Sequence, residues 1–398
     1  MASETKKKRR EDEANAEAET TTAKEKPRAD IEGDGQPGEA PQAAAVDIPE
    51  TITEELTFET YPAGAYTHDE LGLSDEDVRA MYRSMLLQRR FEERCRQMYQ
   101  RQKISGFLHL YIGQEAVSTG SVAAIRLGED SVITAYRDHG IGLAMGMDPN
   151  KSMAELFGKA DGTSRGKGGS MHFFSKEQRM FGGHGIVGAH IPVATGIAFA
   201  HKYRDEDNVC LCFFGDGAIH QGAFHEAANL AGLYGLPVIF VCENNQYAMG
   251  TAVERAAAEP DLYKQSVPYA MPGALANGMD VFSVTKAMQD HVAMAREGRP
   301  SLLEIRTYRY QGHSISDPAK YRAEGELEER KNQDPIIRLK KYLLDHDLAT
   351  NDDLDAVDEE IKQEVLEAIE FAENSPFPDE ETIYEDVYTQ KDYPFLTD

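Results

Sequence analysis

Two short apolar runs, each followed at once by small and polar residues, are the clearest pattern in this 398-residue chain. The first covers 209–214 and ends in Gly215-Asp216-Gly217, and the second covers 236–242 and ends in Glu243-Asn244-Asn245-Gln246-Tyr247. Runs rich in Val, Ile, Phe and Cys are typical of central strands in a parallel sheet covered on both faces. The intervening stretch, 218–234, has the length and Ala/Leu content of a crossover helix. The pattern therefore predicts a βαβ unit.

The ends of these two strands are expected to lie side by side. A right-handed crossover brings the carboxyl ends of parallel strands to one sheet edge, where open α/β folds bind ligands. Asp216, Asn245 and the carbonyl near Tyr247 then offer three oxygens, which suit a Mg²⁺ ion that keeps phosphate and water ligands. Gly215 and Gly217 let the backbone approach a diphosphate. Gly-Asp-Gly by itself is usually a tight turn, and the Asn-Asn pair on the next strand makes the joint pattern far more specific.

Other segments fit the same architecture. Ser74 suits a helix N-cap, the acidic residues after it suit the positive end of the helix dipole, and apolar residues recur at helical spacing from Val78. Segments 132–136 and 302–306 are typical of strands, and 354–371 has a helical period with a heavily acidic face. Together these elements predict an α/β fold, with a doubly wound, mostly parallel sheet and helices on both faces.

Composition divides the chain near residue 60. Residues 1–60 are poor in large apolar side chains and are predicted to be a disordered tail, whereas residues 61–398 are predicted to form the α/β domain with a C-terminal helical extension. Lys6-Lys7-Lys8-Arg9-Arg10 fits either a basic address or a solvated part of the tail. The tail has no apolar core of a secretory signal, and its acidic residues contradict a mitochondrial transit peptide.

Charge and cysteine content limit the classes of partner. The net charge of −27 and the pI near 4.8 argue against nucleic acid and anionic membrane surfaces. No apolar stretch approaches the roughly 20 residues that span a membrane. The four cysteines show no metal or redox spacing and are expected to be reduced core residues. A cytoplasmic location is therefore expected.

Several sequence blocks together resemble one enzyme family. Gly-Asp-Gly followed by Asn-Asn resembles the thiamin diphosphate fingerprint, and the other blocks occur in the family's order over roughly residues 75–325. These other blocks are Gly106–Ala116, Thr134–Gly140, Gly166–His172, Gly185–Ala189 and Tyr308–Ser314. They resemble the α subunits of the 2-oxoacid dehydrogenase E1 components, in particular those acting on pyruvate. The resemblance implies the thiamin diphosphate-binding fold, with thiamin diphosphate and Mg²⁺ as cofactors.

The resemblance also implies a set of site residues. It gives Asp216, Asn245 and Tyr247 as metal ligands. The cofactor-binding residues that it implies are Tyr136, Arg137, Gly185, Val187, Asp216, Gly217, Ala218, Asn245, Tyr247 and His313. The Gly185 carbonyl and the Val187 N–H correspond to backbone contacts with the aminopyrimidine ring. From the residues alone, Arg137 fits a surface ion pair equally well, Tyr136 fits core packing, and the Gly185 segment fits ordinary loop-to-helix packing.

Two of the twelve histidines match family positions near the reacting carbon. His109 and His313 are implied to be catalytic, in proton transfer or in acetyl transfer to a lipoyl group, because an imidazole exchanges protons near neutral pH. The segment 311–318 has the composition of a mobile active-site loop. In some relatives the serine at the Ser314 position is phosphorylated, but the match does not imply a kinase. A structural role is expected for other histidines, namely His139, His172, His184, His190 and His220.

The implied reaction is the oxidative decarboxylation of pyruvate, with the acetyl group passing to the lipoyl group of an E2 acyltransferase. In heteromeric members the glutamate that activates the aminopyrimidine comes from a β subunit, so an α₂β₂ assembly is expected and the chain alone is expected to be inactive. Acetoin dehydrogenase and branched-chain 2-oxoacid dehydrogenase remain alternatives. A P-loop protein is opposed by the absence of a GxxxxGK[ST] segment. A noncatalytic acidic scaffold would lack Mg²⁺-dependent cofactor binding.

Overall fold

A parallel sheet forms the centre of the computed structural model, which describes residues 58–385. The strands are β1 (Glu59–Tyr61), β2 (Ser131–Ala135), β3 (Met180–His184), β4 (Cys210–Gly215), β5 (Val238–Asn244), β6 (Tyr247–Ala248), β7 (Thr251–Ala252), β8 (Gly273–Asn277) and β9 (Ser301–Arg306). Seven of them form one sheet in the order β1-β8-β9-β5-β4-β2-β3, and every pair in it is parallel. β6 and β7 form a separate antiparallel pair.

Helices connect these strands and extend beyond the last one. They are α1 (Asp75–Gln100), α2 (Glu115–Val122), α3 (His139–Ala144), α4 (Pro149–Leu156), α5 (His190–Tyr203), α6 (Gly222–Tyr234), α7 (Val253–Ala256), α8 (Val281–Arg296), α9 (Glu326–Lys331), α10 (Pro335–Asp345) and α11 (Asn351–Asn374). Short 3₁₀ segments cover Gly169–Met171, Leu262–Tyr269 and Glu380–Tyr384. No helix within residues 58–385 is long and apolar enough to cross a membrane.

The predicted βαβ unit is confirmed. β4 and β5 are adjacent and parallel, α6 connects them, and every residue of β5 is buried. The helix begins at Gly222 rather than directly after the strand, because the residues between them form the turn that carries Asp216. The helix predicted after Ser74 is also present, with Ser74 and Asp77 exchanging the hydrogen bonds of a capping box.

Apolar cores on the two faces of the sheet confirm the doubly wound fold. Along β4, Leu211 and Phe213 belong to one core, whereas Cys210, Cys212 and Phe214 belong to the other. This alternation follows from the two-residue period of a strand. All four cysteines are buried and unpaired, as predicted.

The predicted tail lies mostly outside the described residues, as does the basic segment 6–10. Its last residues, 59 and 60, belong to β1, because Glu59 pairs with Ala274 at the edge of the sheet. The helix predicted over 354–371 is part of α11, which packs against α1 and α4.

Candidate active site

The two side chains that the sequence pattern linked lie together at the carboxyl edge of the sheet. Asp216 follows β4 directly, and Asn245 follows the neighbouring strand β5. The register pairs Gly215 with Glu243, so both chains leave the sheet at the same level. Both side chains are buried. The sheet therefore presents a carboxylate and an amide to one ligand site.

Asp216 is a carboxyl group with only 4% of its surface exposed. Burial raises its pKa to about 6, and the Arg309 guanidinium acts in the opposite direction. A carboxylate in such a position favours a nearby cation. Gly217 and Ala218 continue the turn, and a Cβ on Gly217 would lie 2.6 Å from the Cβ of Ala248. Glycine is therefore required where the two loops approach each other.

Arg309 is a site residue that the sequence reasoning did not identify. Its side chain is only 2% exposed. Its Nη1 donates to Asn245 Oδ1 at 3.4 Å and to the Tyr247 carbonyl at 3.1 Å, and its Nη2 donates to the Met249 carbonyl at 3.3 Å. A cationic group thus contacts two of the three oxygens predicted to bind the metal. Its position just after β9, within the Tyr308–Ser314 block, was the available signal.

A buried polar chain supports Asn245 from the other side. Tyr111 Oη donates to Glu243 Oε1 at 2.5 Å, and Gln114 Nε2 donates to the same oxygen at 3.3 Å. Gln114 Oε1 accepts a hydrogen bond from Asn245 Nδ2 at 3.0 Å. Burial raises the pKa of Glu243 to about 7, although its hydrogen bond from Tyr111 and the charge of Arg137 act against that shift.

Three aromatic rings form the neighbouring part of the site. The His109 and His313 centroids are 5.3 Å apart, and the Tyr136 centroid lies 4.7 Å from the first and 5.6 Å from the second. Burial, and then the charge of Arg137, lower the pKa of His109 to about 3 and that of His313 to about 4. Within residues 58–385, the buried Nδ1 of neither ring has a hydrogen-bond partner. Both imidazoles are therefore neutral at pH 7.

Arg137 holds together the two segments that carry these histidines. Its Nη1 donates to the Leu110 carbonyl at 2.6 Å, and its Nη2 donates to the His313 carbonyl at 2.8 Å. The side chain is buried, and burial together with Arg309 lowers its pKa to about 10. A surface ion pair, which the sequence left open, is excluded by this burial.

The loop between β3 and α5 contains Gly185 and Val187. Val187 is 43% exposed and Ile186 is 76% exposed, so this part of the site opens onto the surface. A Cβ on Gly185 would lie 3.5 Å from the His172 ring, and one on Gly188 would lie 3.9 Å from the Ala218 carbonyl. The loop thus adjoins the turn after β4.

Comparison with known proteins shows the family of this chain. Residues 82–381 match the model of the family described as dehydrogenase E1 component. The chain belongs to this family. It is 50% identical over 316 residues to the pyruvate dehydrogenase E1 component subunit alpha of Rhizobium meliloti, which covers 79% of this chain and 90% of that protein. It is 50% identical over 318 residues to the equivalent subunit of Zymomonas mobilis, a match that covers 79% of this chain and 90% of that protein. It is 47% identical over 314 residues to the equivalent subunit of Rickettsia bellii, a match that covers 79% of this chain and 96% of that protein.

The E1 family is thiamin diphosphate-dependent, and the residues at the sheet edge fit a diphosphate with its cation. The donor set consists of oxygens, and it already attracts the Arg309 guanidinium. Within the described part of the chain, no three His, Cys, Asp or Glu side chains form a cluster that could hold a metal ion. Mg²⁺ is usually held by one or two carboxylates together with phosphate oxygens and water.

Another buried carboxylate organises the glycine-rich segment of this E1 chain. Glu155, in α4, is fully buried and accepts hydrogen bonds at 2.7–3.0 Å from the N–H groups of Ser164, Gly166, Gly168 and Gly169. The segment then enters the turn that carries Ser170, whose Oγ accepts from the His109 N–H at 3.1 Å. The sequence reasoning missed Glu155, because only the folded loop surrounds it with N–H groups.

His139 lies behind the same turn. Its Nδ1 is 2.6 Å from Glu92 Oε1, and its Nε2 is 3.0 Å from the Ser170 carbonyl and from Ser170 Oγ. The ring is fully buried, and it touches none of the three aromatic residues described above in a ring contact. These contacts support the structural role that was expected for it.

The segment after β9 is held in place by Asp317. Its Oδ2 accepts from the His313 N–H at 2.6 Å and from Tyr321 Oη at 2.8 Å, and Tyr321 Oη accepts from Arg309 Nη2 at 3.0 Å. The predicted active-site loop is therefore linked to the corner that contains Asn245. Ser314 Oγ lies 3.0 Å from Ser316 Oγ.

Proposed function

We propose that this chain is the α subunit of a pyruvate dehydrogenase E1 component. In this role it takes part in the oxidative decarboxylation of pyruvate and in transfer of the acetyl group to the lipoyl group of E2. The observation that carries the proposal is the meeting, at one sheet edge, of the Asp216 and Asn245 pair with the neutral His109 and His313 rings. Identity of 47–50% with α subunits named for pyruvate supports this substrate over acetoin and branched 2-oxoacids.

Thiamin diphosphate, when bound, supplies the electron sink for decarboxylation. Asp216, Asn245 and the Tyr247 carbonyl hold Mg²⁺, which neutralises the diphosphate. The diphosphate side of the site is formed by Tyr136, Arg137, Gly217 and Ala218, and Gly185 and Val187 offer backbone groups to the aminopyrimidine. The groups that we propose to bind Mg²⁺ and the diphosphate thus all lie on this chain.

His109 and His313 take part in proton transfer at the reacting end of the site. Each ring is neutral at pH 7, so its free nitrogen accepts or shares a proton without first losing one. The Tyr136 ring contacts both histidine rings edge-on, and the Nδ1 atoms of both histidines are buried. Arg137 fixes the spacing of the two rings through the Leu110 and His313 carbonyls.

A protein partner is supported by a large exposed apolar surface beside the Gly185 loop. Its side chains come from the Gly185 loop, α5 and α6. The Phe199 ring stacks on Tyr203 and contacts Tyr234 edge-on. The exposed members are Ile186, Val187, Val193, Phe199, Tyr203, Leu230, Leu233 and Tyr234. Apolar patches of this kind mark protein interfaces. We assign this surface to contacts within an α₂β₂ heterotetramer in which an E1 β subunit supplies the carboxylate for the aminopyrimidine, and we place the enzyme in the cytoplasm.

The test is a substrate panel with the chain alone and the chain co-purified with its β subunit. With thiamin diphosphate and Mg²⁺, the complex is expected to decarboxylate pyruvate faster than branched 2-oxoacids or acetoin, and to acetylate a lipoyl domain of E2. The chain alone is expected to be inactive, and the active particle is expected to have the mass of about four chains. Faster turnover of acetoin would overturn the substrate, and full activity of the isolated chain would overturn the division between subunits.

A further inference from the structure

An asparagine that binds a metal must present its oxygen, and its NH₂ group must point elsewhere. The two ends of the Asn245 amide are nearly equal in size, so packing alone selects neither orientation. In the structure Nδ2 donates to Gln114 Oε1 at 3.0 Å, and Oδ1 faces Arg309 Nη1 at 3.4 Å. The orientation therefore depends on what fixes the polarity of these two neighbours.

The contacts at each end of this hydrogen-bonded chain set which group donates and which accepts. At one end, an oxygen of Glu243 accepts from Gln114 Nε2 at 3.3 Å and from Tyr111 Oη at 2.5 Å. Gln114 must then turn its own oxygen toward Asn245. At the other end, a guanidinium group has donors only. These constraints leave one consistent assignment for both amides.

Water cannot substitute for the members of this chain. Tyr111, Gln114, Glu243 and Asn245 are all buried, so an amide turned the wrong way would face a buried like group without a partner. Leaving a buried donor or acceptor unpaired costs about 1–3 kcal/mol. Burial therefore turns a weak directional preference into a nearly fixed orientation.

We propose that Glu243 and Gln114 are positioning residues that select the oxygen of Asn245 as the metal ligand. Neither needs to contact the cofactor. The inference rests on the proposed Mg²⁺ site, and it adds to that site the residues that set its polarity. Gln114 belongs to the segment before α2, while Glu243 belongs to β5, so the sequence spacing of Asp216 and Asn245 gives no indication of them.

The first test replaces Gln114 by an apolar side chain of similar length, Gln114→Met. The matched control is Gln88→Met, because Gln88 is equally buried and bonds to Ser84, Ser118 and Thr119 instead. In the assembled α and β complex with thiamin diphosphate, calorimetric titration of Mg²⁺ is expected to show affinity reduced about tenfold or more for Gln114→Met, as is typical for loss of an outer-shell contact to a metal ligand. Gln88→Met is expected to match the wild type.

A double variant distinguishes loss of the Asn245 orientation from a general disturbance of the local structure. An aspartate presents an oxygen in either orientation, so Asn245→Asp makes the polarity of Gln114 irrelevant. Adding Gln114→Met to Asn245→Asp is expected to cause no further loss of Mg²⁺ affinity. An equal loss in both backgrounds would show that Gln114 supports only the local structure, and would overturn the inference.

Two further variants complete the design. Asp216→Ala tests the metal site itself. If Asp216→Ala weakens Mg²⁺ binding while Gln114→Met behaves like Gln88→Met, the proposed positioning role of Gln114 and Glu243 is wrong, but the proposed function stands. If Asp216→Ala leaves Mg²⁺ affinity unchanged, the proposed metal site is wrong, and the inference about Asn245 is wrong with it. Should Gln114→Met not fold, Glu243→Gln replaces the acceptor with a group that also donates. A severalfold loss of Mg²⁺ affinity is then expected, and wild-type affinity would overturn the inference.

Discussion

The imidazole rings of His109 and His313 lie with their centroids 5.3 Å apart, although one precedes α2 and the other follows β9. Arg137, from the segment after β2, binds the backbone carbonyls of Leu110 and His313. The spacing of the two rings is therefore set by a third segment of the chain. This arrangement keeps two neutral histidines at the edge of the proposed cofactor site.

We expect His313→Ala to lower pyruvate decarboxylation and lipoyl acetylation by the complex roughly 10²-fold, because a proton-transfer group is lost. Thiamin diphosphate affinity is expected to stay within about tenfold, since the groups proposed to bind the diphosphate are unchanged. Steady-state kinetics and calorimetry measure the two effects. His346→Ala, at an exposed position, is the control. A loss of affinity as large as the loss of rate would instead assign His313 to cofactor binding.

Asp216→Ala is expected to reduce the combined affinity for thiamin diphosphate and Mg²⁺ by several kcal/mol, on the order of what breaking a buried charge pair costs. The remaining Asn245 and Tyr247 oxygens are neutral and compete poorly with water for the ion. Calorimetric titration measures this affinity, and Asp352→Ala, at an exposed position, is the control. Unchanged affinity would refute the assignment of the metal ligand.

Asp317→Ala is expected to increase cleavage by protease within residues 312–325. The carboxylate accepts from the His313 N–H and from Tyr321, so its removal releases both ends of the loop. Limited proteolysis followed by mass spectrometry locates the cuts. In the wild type, cofactor and Mg²⁺ are expected to suppress cleavage. Equal cleavage with and without cofactor would indicate a loop whose order does not depend on the site.

Glu155→Gln is expected to destabilise the glycine-rich segment more than a surface substitution does. The amide keeps one oxygen but turns an NH₂ group toward two backbone N–H groups, and each unpaired buried donor costs about 1–3 kcal/mol. Thermal unfolding is expected at a lower temperature than for the exposed control Glu370→Ala. Pyruvate turnover is expected to fall as well, because the segment leads to Ser170 and His109. A melting temperature equal to that of the control would contradict this role.

His291 gives the chain a predictable sensitivity to acid. Burial lowers its pKa from 6.5 to about 4, so between these values the unfolded chain binds a proton that the folded chain does not. Its contribution to the free energy of unfolding is absent above pH 6.5 and becomes destabilising as the pH falls toward 4, by up to about 1.4 kcal/mol per pH unit.

His291→Gln is expected to reduce this pH dependence, as measured by denaturant unfolding between pH 7 and pH 4. The exposed His346→Gln serves as its control. Comparing each variant with the wild type cancels the titration of the buried carboxyl groups, which is common to all of them. Identical slopes for the wild type and His291→Gln would show that the imidazole is protonated in the folded chain.

Local pattern was sufficient to predict much of the fold. The apolar runs predicted β4 and β5, and the acidic residues after Ser74 predicted the start of α1, because strand burial and helix capping involve neighbours in the chain. The close approach of Asp216 and Asn245 was predicted from the same two runs, because they form one βαβ unit. Parallel strands of one βαβ unit have few ways to be arranged.

The sequence by itself therefore determined the fold class, several of the strands and helices, and the two side chains at the sheet edge. Tertiary structure decided that Arg137 is buried rather than paired at the surface, that Arg309 contacts Asn245 and the Tyr247 carbonyl, and that Gln114 links Glu243 to Asn245. The burial of a charge and the polarity of an amide depend on groups brought together from distant segments. No periodicity within a single segment contains that information, so these residues became visible only once the chain was folded.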